Sequence, residues 1–264
     1  STDFGITNLY AVGAERDPDE TPHPLALTAC GEAADPDREK ALKKAVMEYV
    51  AGRSRKPFDN GPISRMASVA PGSYVGRAIR AATPAHEEER GLREAVGWLG
   101  MGAREMRDLL EDPVYAVRSR VDFSSLPEPP TGVVEGSGAD GVVGRLREGG
   151  LDPLYVDLSP AGGEVWVVRA IVPGLEVETA SYGRIGARNL RRMLLRDDGD
   201  DGLVGTHAPP DGARRILLGE ERREEFGPEP WLDVGALDRR VGPLYPLYRE
   251  PSRHVAALVA DGVL

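Results

Sequence analysis

Residues 38–53 constrain this chain most. Ala41, Ala45, Glu48 and Gly52 recur at intervals of four, three and four, so on a helix they share one strip. That strip reads small, small, acidic, small. Leu42, Val46, Tyr49 and Val50 form an apolar stripe at helical spacing beside it. Asp35-Pro36 just upstream is a start signal, so a helix is expected over about 38–52. A strip of small side chains admits close approach by another group, and the Glu48 carboxylate stands where that group arrives. Arg53 follows little more than one turn later. Taken alone, Glu48 also has the ordinary reading of a solvated helix residue, one among 43 acidic side chains.

The rest of the chain reads as short elements in mixed order. Residues 5–12 and 25–30 are strand candidates, separated by an acidic, Pro-bearing loop as in a long hairpin. Residues 54–73 are punctuated by Gly and Pro. Helices are expected over 86–111, with Leu92, Val96, Leu99, Met106 and Leu109-Leu110 as their buried line. A break is expected at Gly100-Met101-Gly102 and a stop at Pro113. Residues 124–130 form a Pro-rich connector. A helix near 140–146 precedes strands at 154–159 and 165–172. A basic helix spans 185–196, an acidic surface loop 197–201, and an irregular tail 227–264 ends in an apolar run at 255–259. Strands and helices do not alternate regularly, which predicts an α+β fold with a mixed sheet and packed helices.

Composition excludes several classes. The 264 residues carry a formal charge of −10, which argues against nucleic-acid or anionic-membrane partners, since both need a basic face. The single cysteine, Cys30, precludes an intrachain disulfide or a cysteine metal cluster and fits a reducing cytoplasm. No apolar run approaches the roughly 20 residues of a spanning helix. His23, His86, His207 and His254 show no zinc-site spacing, and there is no Walker A or G-x-S-x-G sequence. Gly136-Ser137-Gly138-Ala139-Asp140-Gly141 fits a dinucleotide fingerprint, with Asp157 placed for a ribose. Only Gly132-Val133-Val134-Glu135, after two prolines, is available as the preceding strand, so a flexible loop before a helix is the expectation there.

Gly31, Asp35-Pro36, Ala41-Leu42, Lys43-Lys44, Ala45, Glu48 and Arg53 together resemble the C-terminal ATP-binding segment of the YcaO family, whose members activate peptide backbone amides with ATP while tailoring ribosomal peptides. A second stretch, 140–176, is similar to the family run that ends in a Val-Val-Arg strand and a Val-Pro-Gly-Leu-Glu turn, here Val167-Val168-Arg169 and Val172-Pro173-Gly174-Leu175-Glu176. Arg184-Ile185-Gly186 then resembles the family's Arg-Leu-Gly. The resemblance implies ATP and magnesium as cofactors, Glu48 as a metal ligand, and Glu48, Arg53, Arg169 and Glu176 around the nucleotide. It covers most of the chain but only about the C-terminal half of a YcaO domain. Residues 1–264 are therefore expected to form that half, with a connector near 124–132.

The match departs from the family in places. The Ser-x-x-x-Glu-x-x-Glu-Arg helix is not among these residues, and Ala51 and Gly52 stand where a Gln usually precedes the final Arg. The resemblance further implies a precursor peptide as substrate, a leader-binding protein or N-terminal half as partner, and an oligomer. The alternative it leaves open is a non-catalytic scaffold within a biosynthetic complex.

Overall fold

A computed structural model describes residues 3–13, 16, 17, 27, 29–128, 138–176, 185–195 and 202–264. Strands β1 (Thr7–Val12) and β2 (Cys30–Asp35) pair antiparallel, from Thr7 opposite Asp35 to Val12 opposite Cys30. The hairpin is as expected, but its second strand lies five residues later than 25–30. Side chains alternate across β2: Gly31 and Ala33 turn inward and Glu32 and Ala34 outward. Helix α1 (Arg38–Asp59) packs on the inward face.

Asp37 caps α1, its carboxylate accepting from the amides of Glu39 and Lys40 at 2.9 and 3.2 Å. The Lys40 amide in turn holds this carboxyl below its ordinary value. The helix does not end at Gly52. It runs through Pro57 to Asp59, because Lys56, Asp59 and Asn60 are buried and tied to the chain's last residues. The face it buries is the small-residue strip, not the apolar stripe. Ala41 and Ala45 are fully buried, whereas Leu42, Val46 and Val50 are 43, 46 and 54% exposed. Close packing on a strand backbone requires small side chains, and that requirement outweighs the apolar stripe.

Helices α2 (Ile63–Val69), α3 (Gly72–Ala81), α4 (Glu89–Gly100) and α5 (Ala103–Leu110) follow. The break at Gly100-Met101-Gly102 is where it was expected. The helical path then continues as a π turn over Glu111–Tyr115, through Pro113 rather than stopping at it. The buried line is Gly91, Ala95, Trp98, Met106 and Leu110; Leu92, Val96 and Leu99 are half-buried. The described part of the connector is fastened to the first turn of α1. Arg38 donates to the carbonyls of Ser124 and Leu126 and pairs with Glu128 at 3.0 Å.

Helix α6 (Ala139–Glu148) leads to the antiparallel pair β3 (Leu154–Asp157) and β4 (Val168–Ile171). Then come α7 (Ala187–Leu194), β5 (Val204–Gly205), β6 (Arg214–Arg215), α8 (Glu220–Phe226), β7 (Trp231–Leu232), α9 (Val234–Val241) and α10 (Val255–Ala260). The stretch 227–264 is thus not irregular: it holds a strand, two helices and a 3-10 turn over Gly242–Leu247. The architecture is α+β. Among the described residues the sheets are three small antiparallel ones rather than a single mixed sheet.

The chain divides into two units. One comprises residues 1–142 and 249–264, and the other 143–248. In the first, α10 packs on α4, joining Ala256, Ala257 and Leu258 to the layer of Ala95 and Trp98. The second has a core of Ile185, Leu190, Ile216, Phe226, Leu232, Leu237, Val241 and Tyr245. The first two residues of the dinucleotide-like sequence, the strand expected before it, Arg184, Arg196 and the acidic loop 197–201 lie outside the described residues.

Candidate functional site

The strip that singled out Glu48 is occupied, and its occupant is the neighbouring strand. A side chain on Gly31 would come closer than 3.0 Å to the Ala45 carbonyl oxygen, the Tyr49 amide and Glu48 Cβ. One on Gly52 would meet the Cys30 carbonyl at 3.3 Å. The small residues therefore seat the backbone of β2 against α1. Glu48 stands at the rim of that contact, exposed. Its carboxylate makes no hydrogen bond or ion pair among the described residues.

Arg53 is half-buried on a different side of α1, because five residues turn a helix by about 140° beyond one revolution. It lies within electrostatic reach of Tyr115. Tyr115 donates its hydroxyl to the Leu27 carbonyl, and burial pushes that hydroxyl up to about 12. Tyr49, expected on the apolar stripe, lays its ring over Gly13.

Arg169 and Glu176 belong to the second unit. Arg169 sits on exposed β4 opposite Val156, sharing a sheet face with Leu154 and Ile171. It has no hydrogen bond or ion pair among the described residues. Glu176 serves α7. Its two carboxylate oxygens accept from the amides of Arg188 and Asn189, each at 2.8 Å, and its side chain passes close over Gly186. A carboxylate on a helix's first free amides satisfies donors that otherwise lack partners and faces the positive end of the dipole. This engages one lone pair on each oxygen.

A family model described as YcaO cyclodehydratase, ATP- and Mg2+-binding, matches residues 1–176. The chain belongs to the YcaO family. Neither the curated proteins nor the solved structures gave a match. The matched span contains both stretches that carried the resemblance, and ATP and magnesium are the cofactors of the family's description.

The residues of this YcaO chain fit magnesium only in part. Magnesium takes octahedral oxygen coordination and commonly uses one or two protein carboxylates together with nucleotide phosphates. Glu48, exposed and without a partner among the described residues, suits one such position. Among the described residues, no group of three or more His, Cys, Asp or Glu side chains is placed to hold a metal ion. Glu32 is close in sequence to the Gly31 contact, but it points from the opposite face of β2 and accepts from Asn8.

The sequence did not reveal a second polar cluster in the first unit. The Asp59 side chain is 2% exposed. It accepts from Arg55 at 2.6 Å, and Arg253 Nε lies 2.7 Å from its other oxygen, an ion pair without hydrogen-bond alignment. Arg55 and Asn60 both reach Glu250. His254 is buried, with left-handed backbone (φ 67°), its amide donating to the Asp59 carbonyl at 2.8 Å and its Nε2 lying 3.0 Å from the Tyr74 hydroxyl. Phe58, Tyr74 and His254 stack edge to face or tilted, with centroids 5.2–5.9 Å apart. The only sequence signal was an unplaced histidine near the chain's end. Its partners lie some 180 to 195 positions away, beyond any local pattern.

Proposed function

We propose that this YcaO chain is a component of a ribosomal-peptide tailoring enzyme that activates backbone amides of a leader-bearing precursor peptide, forming azoline rings or related thioamide or amidine products. Family membership supports the chemistry. The carrying observation is the Glu48 carboxylate, which has no partner among the described residues and is held at the rim of the tight β2–α1 contact. ATP, when bound, supplies the phosphoryl group that converts the attacked carbonyl oxygen into a leaving phosphate. Glu48 would hold one coordination position of the magnesium that accompanies the triphosphate. Arg53 and Arg169 would offer guanidinium charge to phosphate oxygens, and Glu176 would join the nucleotide site through the carboxylate lone pairs that its cap of α7 leaves free. The reading includes a second polypeptide, either a leader-binding protein or the acidic N-terminal half of the domain, an oligomeric assembly and a cytoplasmic setting.

Precursor-dependent ATP consumption by the complete assembly tests this reading. Glu48→Gln removes a charge from an exposed helix site, so it should abolish turnover while leaving the far-UV circular dichroism and thermal midpoint unchanged. Unchanged turnover would remove Glu48 from the site.

The second reading is a non-catalytic scaffold, which the departure from the family pattern at Ala51 and Gly52, where a Gln usually precedes the final Arg, favours. A scaffold would recruit precursor or partner without consuming ATP, and Glu48→Gln would leave its complex intact and the assembly's activity unaltered.

A further inference from the structure

Helix α3 spends its inward face on a cleft rather than a core. Tyr74, Arg77, Ala78 and Ala81 recur at the spacing of one helical face. No residue of α3 is buried, and together with the 83–87 and 252–255 turns that face lines a cavity of about 430 Å³. A space of this size is ordinary for a small-molecule site. Its floor is apolar, from the alanines of α3 and Val255. Its far wall is the polar cluster described above. Tyr74 and Asp59 hold the Arg253 guanidinium firmly charged, and burial pushes the His254 imidazole below its ordinary value. The wall is thus pre-organised by ion pairs and ring contacts made before any ligand arrives.

The charged side chain of this cleft that lacks a partner among the described residues is a cation, Arg77. Arg77 makes no hydrogen bond or ion pair among the described residues, and neither does the His86 side chain. The single carboxylate lining the cleft, Glu87, accepts from the Ser252 amide at 3.1 Å. In a chain of net charge −10, an unpaired guanidinium over an alanine floor stands out. An arginine fork recognises planar carboxylate or phosphate through paired hydrogen bonds. We propose that this cleft binds a small organic anion, a carboxylate or phosphate ester on a short apolar body, with Arg77 as its anchor. The site is separate from Glu48: Asp59, behind the cleft, lies 11 residues further along α1, roughly 16 Å at the helical rise.

The test titrates the full 15N-labelled chain with phenyl phosphate and, separately, with benzoate, both in EDTA so that no magnesium-dependent binding contributes. Saturable shifts confined to the amides of residues 74–87 and 252–255 are expected, and the tighter of the two anions identifies the acid group. Arg77→Gln, at an exposed helix position, should weaken binding roughly tenfold, the worth of one charge-assisted contact. Ala78→Leu should fill the floor and weaken both anions while keeping the guanidinium. Circular dichroism confirms that each variant is folded. The proposal is overturned if neither anion gives saturable shifts, if shifts spread evenly over the arginine-bearing surface, or if Arg77→Gln binds with parental affinity.

Discussion

At the scale of single residues, two positions carry more of this structure than their types suggest. Gly31 is required because the helix backbone faces it at its two closest approaches. A methyl there would collide with the Ala45 carbonyl and the Tyr49 amide, neither of which can swing aside. Gly31→Ala should therefore cost about 2 kcal/mol, read as a lower urea midpoint. Gly97, inside α4 with open space around it, should respond oppositely: Gly97→Ala should gain roughly 0.5–1 kcal/mol. The second position is His254. Burial lowers its pKa below the ordinary 6.5, so the unfolded chain binds the proton more readily than the folded one. Its contribution is complete above that value and is lost as pH falls beneath it. Asn tolerates the left-handed backbone, so His254→Asn removes the titration while keeping the turn. The thermal midpoint of the parent should fall more steeply than that of His254→Asn between about pH 7 and pH 5. Parallel curves would show that His254 does not titrate with folding.

At the scale of elements, helix α1 shows that periodicity can be legible while the orientation of the helix is not. The stripe of Leu42, Val46 and Val50 is real but faces outward, while the alanines face the sheet. Val46→Lys should accordingly change stability by less than about 0.5 kcal/mol, whereas Ala45→Leu should cost roughly 2–3 kcal/mol by overpacking the β2 contact. Chemical denaturation of the two variants decides it, and a larger loss for Val46→Lys would place the apolar stripe inside. The β3–β4 pair was legible because its run of β-branched and aromatic residues is long and bounded by turns. What sequence could not show is that both strands are exposed along their length, with Trp166 82% exposed in the connecting segment. The C-terminal stretch read as irregular because its helices are six to eight residues long and separated by prolines, too short for a clear period.

At the scale of the whole molecule, a count of ligands sets the expectation. Glu48 as a single matched metal ligand, with no metal-binding cluster among the described residues, is too little for a triphosphate that carries more than one ion. Residues 1–264 alone should show no ATP hydrolysis above background in a phosphate-release assay, and adding the second polypeptide proposed above together with precursor should restore it. Hydrolysis by the isolated chain would mean that side chains outside the described set complete the site. The family and its cofactors were legible because they reside in local strings: Asp-Pro before a helix, Glu48 and Arg53 at fixed spacing, Val-Val-Arg before Pro-Gly-Leu-Glu. Local strings also determined where α1 begins and the break at Gly100-Met101-Gly102, since start signals and breaks depend on neighbours within a few residues. Tertiary structure alone decided which face of α1 is buried, where β2 begins, that Glu176 caps α7, and that Asp59, Arg253, His254 and Tyr74 meet behind a cleft. Each of these depends on a partner more than a helical turn away, and packing against that partner outweighs any preference the local sequence expresses.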